Sequence, residues 1–250
     1  MFFKNLKEAI EHTKFSKSEL SKITQVMVNT YNGDYGSVKE TLREETYHNK
    51  GDHRFITGYL VPQVFVICFR GTNGATEWKR NFNFPQSKFD FNDIPGNVKG
   101  HTGFIKSYRT IRKTLEEIIK SENPKRIIFC GHSLGAVKAG YALIDMKQTF
   151  KNIKMDYIGY GSPRMGNNEF VKYIQKHANS LLSIKNGLDI VCDVPIKLMG
   201  YSHIDNWVNL RRWKKIYAFL LPIMYKIHLI RDHYPNLYQK YVEKALKKIK

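Results

Sequence analysis

Gly131-His132-Ser133-Leu134-Gly135 sets one serine between glycines two residues away on either side, after the apolar run "RIIFC" and ahead of "AVKAGYALI". In a G-x-S-x-G turn from strand to helix, the serine is exposed as a nucleophile, and side chains at the glycine positions would collide with the neighbouring strand and helix. A serine hydroxyl is a weak nucleophile at neutral pH. It needs an imidazole to take its proton and a carboxylate to hold that imidazole's tautomer. On such turns the chain order is Ser, acid, His. Downstream of Ser133, "NGLDIVCDVP" offers Asp189 and Asp193 just past the apolar stretch "LLSIK", and His203, His228 and His233 follow. Order and spacing admit either aspartate and any of the three histidines.

A tetrahedral intermediate carries negative charge on oxygen, so preorganised N–H donors are also required. The amide of Leu134, first in the helix after the serine, is one candidate. The second donor has to come from an earlier strand end. "CFRGTNG", directly after "VFVI", is the natural place, and Thr72 there offers both a backbone N–H and a hydroxyl.

These residues need a scaffold that brings distant strand ends together. Residues 18–30, "SELSKITQVMVNT", open with helix-cap chemistry and place Leu20, Ile23, Val26 and Met27 on one helical face. "RFITGYLVPQVFVICFRGT" reads as two strands around Val61-Pro62-Gln63, the second, "VFVICF", apolar enough to be buried on both faces. Residues 104–120 predict a helix, "RIIFC" a strand, and Leu134, Val137, Tyr141 and Ile144 an apolar stripe on the helix after Ser133, where Ala136, Ala139 and Gly140 would allow close packing on the sheet. "MDYIGYG" and "LLSIKNG" predict further strands, separated by the helical pattern of "NNEFVKYIQKHA". Strands alternating with helices imply an α/β fold with a mainly parallel central sheet flanked by helices, whose sites lie at the carboxyl ends of the strands. With no repeat or linker, residues 1–250 read as one domain.

Composition narrows the classes. The 250 residues are 42% hydrophobic and 13% aromatic, enough for a globular core. Cys68, Cys130 and Cys192 form no C-x-x-C pair, and no His/Cys cluster has metal-ligand spacing, so neither a disulfide framework nor a metal or organic cofactor is expected. Charges from Lys4 onward interrupt the N-terminal stretch, which lacks the form of a signal peptide, so the expected location is cytoplasmic. The net charge of +19, from 41 basic and 22 acidic residues, would favour anionic partners. Most of these cations are dispersed lysines typical of a solvated face. No zinc-finger, RNP-like or Walker pattern supports nucleic-acid binding, which leaves peripheral association with an anionic membrane as the partner expectation for the charge.

Taken together, these segments resemble the class 3 lipase family, the fungal triacylglycerol lipase-like branch of the α/β-hydrolases. "VICFRGT" resembles the family's oxyanion strand, Trp78 its tryptophan position, "HTGF" at His101 its H-x-G-F landmark and "GHSLGA" its elbow. "GYGSPRMGNNEF" resembles the segment after the next strand, "NGLDIVCDVP" its N-x-x-D-x-V-x-x-x-P spacing, and "RDHYPNLY" its C-terminal Asp-His motif. The resemblance covers roughly residues 55–238. It implies Ser133 as nucleophile, Asp189 rather than Asp193 as acid, His233 as general base, Thr72 as oxyanion residue and His203 as a non-catalytic landmark. It implies a carboxylic ester hydrolase acting on lipid esters of the acylglycerol type. A phospholipase A1 or short-chain esterase would use the same residues, and a membrane-associated binding module without turnover is the rival from another class. Two departures stand out. The family's usual acidic or amide position three places after the tryptophan holds Asn81, and Gly159-Tyr160-Gly161-Ser162 replaces Thr-Phe-Gly-Gln or Thr-Phe-Gly-Ser.

Two stretches could meet lipid. Residues 73–100 carry Trp78, Phe82, Phe84, Phe89 and Phe91, readable as a core strand face or as an acyl-binding flap. Residues 211–231 carry Ile216, Phe219, Leu220, Ile223, Met224, Ile227 and Ile230 at helical spacing between basic ends, readable as an interfacial helix or as one packed on the sheet.

Overall fold

The computed structural model describes residues 2–31, 41–51, 53–71, 85–91, 93–211 and 230–249. In chain order the elements are β1 (Phe2–Phe3), α1 (Leu6–His12), α2 (Lys17–Asn29), β2 (Arg43–Lys50), β3 (His53–Val61), β4 (Val64–Phe69), β5 (Gln86–Lys88), β6 (Lys99–His101) and α3 (Thr102–Glu122). They continue with β7 (Arg126–His132), α4 (Leu134–Thr149), β8 (Lys154–Tyr160), α5 (Asn168–His177), β9 (Ser180–Lys185), β10 (Trp207–Asn209) and α6 (Pro235–Leu246).

One eight-stranded sheet, ordered β1-β10-β9-β8-β7-β4-β3-β2, forms the centre. From β1 to β4 in that order every neighbouring pair is parallel, and β3 and β2 complete the sheet antiparallel. β4, β7 and β8 are nearly continuous apolar runs because helices cover both faces of the sheet. One core, on the side of α3, α4 and α5, contains Tyr108, Phe129, Tyr141 and Phe170. The other, on the side of α1, α2 and α6, contains Leu20, Val66, Ile158 and Tyr238. The mainly parallel, helix-flanked sheet is the architecture expected from the alternation of strands and helices.

Local chemistry explains the helix starts. Ser16 and Glu19 form a reciprocal capping box at α2. At α3, Nδ1 of His101 accepts the amides of Gly103 and Phe104, so this landmark histidine works as an N-cap. Burial pushes its pKa down to about 4, which keeps the ring neutral and the cap intact. The stripe expected on the helix after Ser133 is wider in the fold: α4 is buried all round from Gly135 to Met146, between the sheet and its neighbouring helices. Its small residues do not all face the sheet. Gly135 lies against the Phe69 carbonyl, whereas Gly140 faces Met165.

Phe89 and Phe91 follow β5 and are buried in the core, where Phe89 meets Tyr141 edge-on and Phe91 contacts Tyr108. These two side chains belong to the core and not to a flap, but they lie beyond the strand instead of on its face. Trp78, Asn81, Phe82 and Phe84 lie outside the described residues, as does 212–229, the greater part of the second apolar stretch. Among the described residues no helix is long and apolar enough to cross a membrane.

Candidate active site

β7 ends at His132, and the chain turns at Ser133 into α4 with φ 58° and ψ −127°. This conformation is strained for a residue bearing a side chain, by about 1–3 kcal/mol. It persists because the surroundings leave no alternative. The Ser133 amide donates to the Tyr160 carbonyl at 2.9 Å, tying the turn to the end of β8. The flanking glycines are required by contact. A Cβ on Gly131 would lie 2.4 Å from the Gly135 carbonyl carbon, and one on Gly135 would lie 2.1 Å from the Phe69 carbonyl oxygen at the end of β4.

Asp189 caps the short 3-10 turn Ile190–Asp193 that follows β9, its Oδ1 accepting the Val191 amide. Its Oδ2 faces Nδ1 of His233 at 2.8 Å and accepts the Tyr238 hydroxyl. The carboxylate is fully buried. Burial alone would raise its pKa. The charge of His233, with hydrogen bonds from His233 and Tyr238, outweighs that and holds it below the ordinary carboxylate value. Against an ionised Asp189, the His233 proton sits on Nδ1, which leaves Nε2 able to accept one.

The other sequence candidates fall elsewhere. Asp193 is half-exposed and pairs with Lys185 at 2.7 Å. His203 stacks on Trp207, and burial, reinforced by the charge of Arg164, lowers its pKa to about 4. His228 and Thr72 lie outside the described residues. Leu134 opens α4, where an α-helix leaves its first amides without intrahelical partners.

The G-x-S-x-G pattern left the roles of four contributors, His132, Tyr31, Gly71 and Tyr238, unread. The Nε2 of His132 lies 2.8 Å from the carbonyl oxygen of His233, which can only accept, so His132 carries its hydrogen on Nε2. Its Nδ1 must then accept, and the Tyr31 hydroxyl stands 2.7 Å away as the donor. The Tyr31 oxygen in turn accepts the Gly71 amide at 3.0 Å. A directed chain therefore runs from the end of β4, through Tyr31 beyond α2, to the elbow and on to the backbone of His233. Burial, reinforced by the nearby charge of His233, holds His132 neutral well below the usual histidine range, as this chain requires. Gly71 is pressed against the elbow: a Cβ there would lie 2.7 Å from the His132 carbonyl oxygen and 3.0 Å from Cβ of Ser133. Tyr238, five residues after His233, lay within the quoted C-terminal segment, but its helix was not anticipated. Tyr31 carried no signal in the sequence.

His233 is also close to the end of β8. A Cβ on Gly161 would come within 2.9 Å of Asp189 Oδ2 and 3.1 Å of His233 Cε1. Tyr160, the residue before it, holds the Ser133 amide, so the elbow and the Asp189–His233 pair flank one peptide unit. Arg211, at the end of β10, bonds Asn186 and pairs with Asp232, fixing the approach to His233. Among the described residues no group of His, Cys, Asp and Glu could hold a metal ion.

A mainly parallel sheet with a strained serine on the strand-to-helix turn after β7, and a buried carboxylate beyond β9 paired with a partly buried histidine, defines an α/β-hydrolase. The sequence model of the family described as Lipase (class 3) matches residues 66–199, more than half of the chain. The chain belongs to this class 3 lipase family. It is 30% identical over 159 residues to a chloroplastic phospholipase A(1) of Arabidopsis thaliana, covering 56% of this chain and 36% of the relative. It is 28% identical over 150 residues to secreted mono- and diacylglycerol lipase 1 of Fusarium solani, covering 58% and 44%. The chain thus spans less than half the length of either relative. The crystal structure of a lipase from Rhizopus microsporus var. chinensis shares the fold, with TM-score 0.64 and 23% identity over 75% of this chain and 71% of that one.

Proposed function

We propose that the protein is a serine carboxylic ester hydrolase that cleaves lipid esters of the acylglycerol type through an acyl-enzyme. The observation that carries the reading is the 2.8 Å pair of the buried Asp189 and the partly buried His233, across the Tyr160–Gly161 unit from the strained Ser133. In this reading Ser133 Oγ attacks the ester carbonyl while Nε2 of His233 takes its proton. The carbonyl π electrons move to oxygen, where the amides of Leu134 and Thr72 stabilise the charge. Collapse breaks the bond to the leaving alcohol, which receives the proton from His233. Water then repeats the sequence on the acyl-serine: it gives a proton to His233, attacks the carbonyl and releases the carboxylic acid, and His233 returns the proton to Ser133. Asp189 stays ionised throughout and stabilises the imidazolium.

Phospholipid is the second substrate reading, favoured by the phospholipase A(1) relative and by the net charge of +19. The deciding experiment is hydrolysis of p-nitrophenyl esters of graded chain length, diacylglycerols and phosphatidylcholines by wild type and Ser133→Ala. Release of fatty acid that vanishes in Ser133→Ala supports the proposal, and the preferred class names the substrate. Absence of any Ser133-dependent release would leave a binding module without turnover.

A further inference from the structure

We infer that a basic groove at the sheet edge docks the protein on anionic phospholipid headgroups, with one end of the groove, at Lys4 and Arg211, on the same rim as Ser133; the choice of a lipid partner rests on the lipid ester reading above. The groove is a cavity of about 600 Å³ between α1, the end of β10 and α6. Five cations line it, Lys4, Lys7, Arg211, Lys244 and Lys248, and no acidic residue does. Neighbouring carboxylates neutralise part of this charge. Asp232 pairs with Arg211, Glu11 lies 3.9 Å from Lys7, and Glu8 accepts the backbone amide of Lys4. Among the described residues, the ammonium groups of Lys4, Lys244 and Lys248 have no carboxylate within ion-pair distance. Leu6, Leu210 and Ala245 add apolar surface, and Tyr241 offers a ring over which Arg211 lies at 4.2 Å. Ammonium groups around a partly apolar floor suit a phosphodiester attached to glycerol: the lysines meet the phosphate and the floor meets the carbon skeleton.

Topology gives this groove its use. β1, β10, β9, β8 and β7 are all parallel, so Lys4 after β1, Arg211 after β10 and Ser133 after β7 emerge from carboxyl ends on one rim. β10 and β7 are three strand positions apart, about 14 Å at 4.8 Å per spacing. A headgroup held in the groove therefore brings the lipid surface to the edge of the sheet where an ester must enter. Attraction of this kind is electrostatic and weakens with salt.

The test is flotation with vesicles of ether-linked lipids, which carry no carboxylic ester to cleave. Wild type is expected to bind vesicles containing phosphatidylglycerol and to leave pure phosphatidylcholine unbound, with binding falling as salt rises. Lys244→Glu/Lys248→Glu should weaken binding by at least about tenfold, given roughly fivefold per lysine at an anionic surface. Lys4→Glu/Lys7→Glu does the same from a separate element, so a failure of α6 to fold does not remove the test. Lys113→Glu/Lys120→Glu, exposed on α3 at the opposite face, should retain binding. The inference is overturned if both groove variants fold and bind like wild type, or if the α3 variant loses as much. Release by inorganic phosphate at constant ionic strength would assign the groove to a soluble phosphate, and groove-dependent dimerisation without vesicles would assign it to a second copy. Ser133→Ala should bind the vesicles like wild type, so loss of hydrolysis and loss of docking are read separately.

Discussion

The Tyr238 phenol donates to Oδ2 of Asp189, the oxygen that also faces Nδ1 of His233. Because Asp189 is buried, each of these partners helps keep it ionised. Tyr238→Phe removes one and should raise the Asp189 pKa. In the proposed mechanism ester hydrolysis requires the ionised form, so the acid limb of the kcat profile should move to higher pH, with kcat falling several-fold and KM unchanged. Loss of one hydrogen bond to a buried charge predicts about 1.5–3 kcal/mol less stability in denaturant titration. A stability loss with an unshifted acid limb would make Tyr238 structural only.

Asp189→Asn and Asp193→Asn separate the two acids that spacing leaves open. The first should lower kcat about 10⁴-fold, as expected when the tautomer of the base is no longer enforced. The second only releases a surface pair with Lys185, and initial rates should stay within about twofold of wild type.

Tyr31→Phe deletes the acceptor of the Gly71 amide and the donor to His132. The end of β4 then loses its tether to the elbow. Oxyanion donors act only in the transition state, so kcat should drop about tenfold or more while KM holds. A KM effect alone, measured on a soluble p-nitrophenyl ester, would contradict this.

Gly135→Ala should prevent folding or cost more than about 3 kcal/mol, because the new Cβ meets the Phe69 carbonyl oxygen at 2.1 Å, where backbone cannot give way. Gly96→Ala, with nothing within 4 Å of its Cβ, should stay within about 0.5 kcal/mol in thermal unfolding.

Stability should decline on acidification between pH 6.5 and about 4, in part through His101, whose pKa falls from 6.5 in the unfolded chain to about 4 in the fold. In that window the unfolded chain binds the proton and the native state does not, so its contribution is full above 6.5 and is lost as pH falls. His101→Asn keeps an N-cap acceptor without the titration, and the slope of Tm against pH should flatten over that interval.

Signals confined to a few consecutive residues were readable in sequence. The apolar runs of β4, β7 and β8, the stripe of α2 and the serine between its glycines follow from burial and local sterics, and they appear where they were expected; the cap of α2 stands two residues earlier than the Ser18-Glu19 opening, at Ser16. Elements held by distant contacts were not. β1 and β10 contain two and three residues and exist through parallel pairing at the sheet edge. β2 is polar on an antiparallel edge, and α6 went unanticipated although Tyr238 and Val242 bury its inner face.

The site divides the same way. Sequence alone determined that Ser133 sits on a strand-to-helix turn and that acids and histidines follow in an order fit for it. The family resemblance selected Asp189 and His233 among them. Tertiary structure supplied what depends on distance: His233 meets Asp189 across 44 residues, Tyr31 meets His132 across 101, and Asp193 and His203 turn elsewhere. A hydrogen bond is decided within a few tenths of an ångström, and no local pattern specifies that over such separations. Only the parallel sheet, by gathering its strand ends on one rim, does so.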